Sequence, residues 1–234
     1  MGDMQNILLQ YMESRIGKQP VPASMGPVVT ISREYGCPAK LLATSLVDQI
    51  NRLIRESGRT GVLWRWIGKD LLDEAATELN VDKRHMRHVF KYENRSIMDD
   101  ILAATSKDVS YKTDKKIRKT IGSVIRNIGE RGHVVIVGRG GVAMTRHIPE
   151  SLHVRLIAPM DWRIRWVMDM QGLSQKVAEE KILKIDEKRK KFLEYFLGES
   201  CCGSNFDLVL NCASFNNDTL TEILLQTLII RKLM

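Results

Sequence analysis

The sequence predicts an α/β protein, a five-stranded parallel sheet flanked by helices. Five β-branched or apolar runs, beginning at Val28, Val62, His133, Leu152 and Phe206, alternate with stretches of helical periodicity. None is joined to the next by a tight hairpin signal. The run His133-Val134-Val135-Ile136-Val137 is apolar almost throughout, as in a parallel strand covered on both faces.

The elements follow in order. Residues 3–17 carry Ile7, Leu8, Tyr11, Met12 and Ile16 near helical spacing, and the Pro- and Gly-rich stretch 17–27 reads as a linker. This first helix either caps the domain or pairs with a second copy. The strand from Val28 ends in a turn at Gly36 and Pro38, and an apolar helix spans 41–55. Its loop amides and helix N-terminus point beyond the strand end, a place that suits phosphate, although a mere tight turn has the same look. A short strand over 62–67 comes next, then a basic helical block with helices over 70–78, 81–92, 96–105 and 114–130. Gly132 resets the pattern for the strand 133–137, which ends in Gly138-Arg139-Gly140-Gly141. After the strand 152–157 a helix covers 161–170. Ser174 then opens a long helix in which Lys184, Lys188, Arg189, Lys190 and Lys191 crowd one segment. The strand 206–211 is last, and Asn216 or Asn217 starts the closing helix.

Bulk properties narrow the function less than the strand ends do. With 234 residues the chain can bury a full core, and its 44% hydrophobic and 27% charged content is ordinary for a globular protein. A net charge of +8 favours phosphate-bearing partners without choosing among nucleotides, nucleic acid and lipid. Cys37, Cys201, Cys202 and Cys212 show no zinc spacing, and His85, His88, His133, His147 and His153 show no metal-ligand pattern within one element. Reduced thiols, a cytoplasmic home and no membrane partner are the expectation, since no secretory signal or membrane-length apolar run stands out. Trp64, Trp66, Trp162 and Trp166 are expected to pack. Parallel sheets bind ligands beyond the carboxyl ends of their strands, and three such ends here are basic or Gly-rich: Ser32-Arg33 to Lys40, Gly68-Lys69 and Gly138-Arg139-Gly140.

These residues resemble a known family. Val29-Thr30-Ile31-Ser32-Arg33-Glu34-Tyr35-Gly36, Val135-Ile136-Val137-Gly138-Arg139-Gly140, Ile185-Asp186-x-x-Arg189-x-x-Phe192 and Phe206-Asp207-Leu208-Val209-Leu210-Asn211 are similar, in order, to motifs of the cytidylate kinase-like family among the P-loop nucleoside monophosphate kinases. The resemblance implies a P-loop NTPase-type core over 28–234, preceded by the N-terminal helix and linker 1–27. It also implies a monophosphate-binding helical insert at about 69–130 and a lid at about 172–200. It further implies phosphoryl transfer from ATP, with Mg2+, to CMP or dCMP.

By that resemblance Ser32, Arg33, Gly36, Cys37, Ala39, Lys40 and Leu41 hold ATP, with Arg163 along the adenine or simply at the surface. Lys69, Gly138, Arg139, Gly140, Lys184 and Asp186 face the acceptor. Lys40, Arg139 and Arg189 are the catalytic candidates, and no protein metal ligand is expected. The loop departs from G-x-x-x-x-G-K-[ST], because Ala39 replaces the Lys, Lys40 replaces the hydroxyl and Pro38 removes an amide donor. It departs from the family as well, with Pro38-Ala39-Lys40 for Gly-Gly-Arg, and Gly140 for the Asp that follows Arg139. A nucleotide-binding regulator without turnover is therefore an alternative. Nucleic-acid binding by the basic insert is a further one, disfavoured because no aromatic stacking platform accompanies it.

Overall fold

The computed structural model describes residues 25–58, 61–68 and 122–234. The expected N-terminal helix, the helices between 70 and 121, and Lys69 lie outside the described residues.

Five strands form one parallel sheet: β1 (Val28–Arg33), β2 (Arg65–Ile67), β3 (Val134–Val137), β4 (Ser151–Ile157) and β5 (Leu208–Asn211), in the order β2-β3-β1-β4-β5. The chain leaves central β1 toward β2 and β3, then crosses to β4 and β5 on the other side. The carboxyl end of β1 is thus the point where strand order reverses, and a crevice opens there in such sheets.

Side chains alternate between two buried faces. Val29, Ile31, Val135, Val137, Leu152, Val154 and Leu156 share one core with Leu42, Leu46 and Ile50 of α1 (Ala39–Glu56) and with Leu224 and Leu228 of the last helix, Asn217–Ile230. Burying each of these aliphatic side chains contributes roughly 1.5–3 kcal/mol. The opposite face carries Thr30, Ile136 and His153, and α2, over residues 122–131, buries Val124, Ile125 and Ile128. A short helix, α3 (Gly141–Thr145), follows β3. Gly141 lets it sit against the sheet, since a Cβ there would stand 3.1 Å from Ile136 Cγ2.

Two further helices close the open rim. Helix α4 (Met160–Gln171) follows β4, and α5 (Gln175–Leu197) returns across it, with Ile164 and Val167 packed on Ala178 and Ile182. The far end of α5 buries Leu193 and Leu197 against Val142, Ala143 and Phe206. Ser174 stands at the N-cap of α5 but its hydroxyl makes no capping bond, whereas Asn216 accepts from Thr219 N–H at 2.8 Å.

The strand expected over 62–67 is shorter, because Trp64 pairs with a side chain in place of a neighbouring strand. Asn51 Nδ2 donates to Trp64 O at 2.8 Å, and Trp64 N–H donates to Asn51 Oδ1 at 2.7 Å. No helix of the described residues is long and apolar enough to cross a membrane.

Candidate active site

Beyond Arg33 the chain turns sharply. Glu34 N–H donates to Leu156 O at 3.0 Å, Cys37 N–H to Glu34 O at 3.3 Å, and Gly36 takes φ +98°. Gly36 lies flat against Arg163, where a Cβ would meet Arg163 Cβ at 3.1 Å. Pro38 precedes the first turn of α1, Ala39 is buried, and Lys40 is exposed one helical step on.

Arg163, from the first turn of α4, ties this loop to its surroundings. Its side chain is 7% exposed. Nε donates to Ala158 O at 3.0 Å and lies 3.5 Å from Glu34 Oε2, while Nη1 donates to Tyr35 O at 3.3 Å and to the Asp186 carboxylate. Asp186, from α5, also accepts the Tyr35 N–H at 2.6 Å. Two carboxylates thus compensate one buried guanidinium, the condition under which such a charge is tolerated away from water. Tyr35 is held from two more directions. Its hydroxyl accepts from Gln171 Nε2 at 2.9 Å, and Arg189 lies 5.3 Å from its ring centroid. Arg189 Nη1 in turn donates to Arg33 O at 3.3 Å.

At the end of β3 three consecutive residues have left-handed backbone: Gly138 (φ +74°), Arg139 (φ +57°) and Gly140 (φ +67°). Arginine in that region is held at a cost of order 1–3 kcal/mol, and such strain is commonly found where a side chain must be aimed. Gly138 makes room for a neighbour, since a Cβ would come 1.9 Å from Arg33 Nη1. A Cβ at Gly140 would approach Phe196 at 3.2 Å, so aromatic carbon fills the space beside that position.

A cavity of about 400 Å³ lies between these parts, walled by the ends of β1, β3 and β4 and by α5. Seven of its lining side chains are basic and three acidic, so it suits an anion. Ser32, Arg33, Gly138, Arg139, Gly140, Arg163, Asp186 and Arg189 all reach it. Lys40, Leu41 and Lys184 do not; all three are exposed beyond its walls. Cys37 and Ala39 are buried in the core. A hydrogen bond to Cys212, and burial, push the Cys37 thiol far above its ordinary value. Arg155 lines the cavity although no sequence motif points to it, and Glu34 and Phe192, quoted only within the motifs, line it too. The sequence signal for Arg155 is a strong charge at an inner position of the strand Leu152 to Ile157, where apart from His153 the residues are apolar.

Metal-holding capacity follows from the donors present. Among the described residues no three His, Cys, Asp or Glu groups converge, and Asp186 and Glu34 already engage Arg163 and backbone N–H groups. Lys40 occupies the place of the loop hydroxyl. The described residues do not fit a protein-held divalent ion.

A family model described as "Cytidylate kinase-like family" matches residues 62–214, more than half of the sequence. The chain belongs to the cytidylate kinase-like family. The match begins after β1 and its loop, so it does not include Ser32 to Lys40. Among solved structures, an uncharacterized protein from Eubacterium ventriosum ATCC 27560 is similar in fold, with TM-score 0.55, 19% identity, and coverage of 88% of this chain and 97% of that one. A shikimate kinase from Bacteroides thetaiotaomicron gives TM-score 0.45 at 12% identity, covering 88% of this chain and 99% of that one. A curated relative, the uronate isomerase of Corynebacterium glutamicum, is 26% identical over 133 residues, 56% of this chain. The match spans only 25% of that protein's length, and the isomerase reaction stays with it.

Proposed function

We propose that this member of the cytidylate kinase-like family transfers the terminal phosphoryl group of ATP to a pyrimidine nucleoside monophosphate, CMP or dCMP, in the cytoplasm. The observation that carries the reading is the gathering of Arg33, Arg139 and Arg189 around one cavity at the strand-order reversal. Phosphoryl transfer asks for alignment of two phosphates and for cations against the charge on the transferred group, and requires little covalent help.

In this reading an acceptor phosphate oxygen attacks the γ-phosphorus as the bond to the ADP oxygen breaks. Arg139 holds the acceptor phosphate and Arg189, anchored to Arg33 O, bridges toward the group in flight. Asp186 and Arg163 position α5, the proposed lid, over the loop. Mg2+ carried on ATP would supply neutralisation of the phosphate charge, and the described residues offer it no ligand set of their own.

Coupled ADP-release assays across the common nucleoside monophosphates test this. Turnover with CMP or dCMP is expected, and Arg139→Ala is expected to lower it about 100- to 1000-fold, the cost of removing a donor aimed at developing charge. One observation favours a second reading, a nucleotide-binding regulator without turnover. The loop lacks its lysine and hydroxyl, and its Tyr35 amide is already bound to Asp186. Tight ATP binding with no ADP release for any monophosphate would establish that reading and sink the first.

A further inference from the structure

We infer that Arg155 is a phosphate-binding residue of the acceptor half of this cavity. The inference rests on the kinase reading only for the word acceptor; the anion site itself does not depend on it.

Arg155 is the fifth of the seven residues of β4, an inner strand paired on both sides. Its neighbours at 154 and 156 point into the core beneath α1, so Arg155 and His153 face the other way. His153 is satisfied there, with Thr30 Oγ1 at 2.9 Å from Nδ1 and Ser151 Oγ at 3.2 Å from Nε2. Arg155 is not matched in the same sense. Among the described residues its guanidinium meets the Phe206 ring, 5.4 Å from the centroid, and Cys201 Sγ at 3.6 Å, both weak acceptors. The nearby carboxylates are committed elsewhere: Glu194 accepts the Cys201 N–H at 3.2 Å, and Asp207 accepts the His153 N–H at 2.6 Å and pairs with Arg231. This half-buried guanidinium is oriented by an aromatic ring and has no carboxylate partner among the described residues, so an anion in the cavity would complete it. It opens on the cavity, and so can receive one.

Position decides which anion. Strand register sets Arg155 level with Ser32, and the next place across β1 beyond Ile31 and Val137 falls at Gly138, beside Arg139. Arg155 stands on the sheet face away from α1 and the loop that precedes it, where the donor phosphates belong in the kinase reading. The group it serves with Arg139 is therefore the acceptor's phosphomonoester, two of whose oxygens the planar guanidinium fork can bind at once, as an ammonium cannot.

Arg155→Met and Arg155→Lys, compared with wild type, test this in two ways. In steady-state assays with ATP, Arg155→Met is expected to raise the acceptor KM about 10- to 100-fold, as for a lost charge-assisted hydrogen bond, with the ATP KM within twofold. Arg155→Lys should recover part of that loss. In thermal melts with CMP, or with orthophosphate, wild type should be stabilised and Arg155→Met should not. An unchanged acceptor KM, or a rise confined to ATP, overturns the assignment. Should wild type show no turnover, a monophosphate-dependent melting shift that vanishes in Arg155→Met and is partly kept in Arg155→Lys upholds the anion site while the kinase reading falls. Equal shifts in all three proteins, or none in any, overturn the inference.

Discussion

Arg163 shows how a single residue can hold four segments. It reaches Ala158 at the end of β4, Glu34 and Tyr35 of the loop, and Asp186 of α5, and it does so almost out of contact with water. Removing it would leave Glu34 and Asp186 facing each other without their shared cation. Arg163→Met is therefore expected to lower unfolding free energy by about 3–5 kcal/mol, the range for breaking a buried ion pair from one side. Urea denaturation measures it, and a loss below about 1 kcal/mol would mean that water compensates the two carboxylates as well as Arg163 does. Arg139 is a different kind of residue. Its left-handed backbone and flanking glycines are a local cost, accepted at a cavity rim, while Arg163 is woven into the packing. The contrast could not be read from sequence, where both are arginines shortly after a strand. Tyr35, Arg163 and Asp186 meet across separations of 23 to 151 residues, and no local pattern encodes such a meeting.

At the scale of elements the sequence was a better guide. The five strands announce themselves as apolar runs because both faces of a parallel sheet are buried, and the long helices announce themselves by period. The helix start at Ala39 was nearly legible, yet which of Ala39 and Lys40 faces inward depends on how α1 is rotated against the sheet, and that is set by Leu42, Leu46 and Ile50 together. The strand near Trp64 begins only at Arg65: Val62, Leu63 and Trp64 have strand-like side chains, but the pairing of the Trp64 backbone is decided by Asn51, thirteen residues upstream in α1. Asn51 serves Trp64 as a strand edge would, accepting from its N–H and donating to its C=O. Asn51→Ala strands both buried backbone groups and should cost about 2 kcal/mol or more at 1–3 kcal/mol for each unsatisfied group. A urea-midpoint shift with altered Trp64 fluorescence is the expected result; an unchanged midpoint would show that water replaces Asn51.

For the molecule as a whole, charge and burial act at opposite ends of the sheet. Among the described residues the cavity beyond the carboxyl ends of the strands gathers seven basic side chains against three acidic, while buried His153 and half-buried His133 lie toward the amino ends. Burial pushes the pKa of His153 below its ordinary value, with Arg231 adding to the effect and Asp207 opposing it. Burial does the same to His133, helped by Arg65. In both cases the folded protein prefers the neutral ring more strongly than the unfolded chain does. Their contribution to stability is thus complete above the unfolded value near pH ~6.5 and is lost as pH falls below it through the lower folded values. Each histidine adds a slope of at most about 1.4 kcal/mol per pH unit in that window. Urea midpoints measured from pH 7.5 down to pH ~5 should fall more steeply for wild type than for His153→Gln. The two lines should converge at the acid end, because the variant has no proton to take up at that position. Parallel lines would assign the acid sensitivity to other groups, and the hydroxyl pair of Thr30 and Ser151 would then be holding His153 equally well in either charge state.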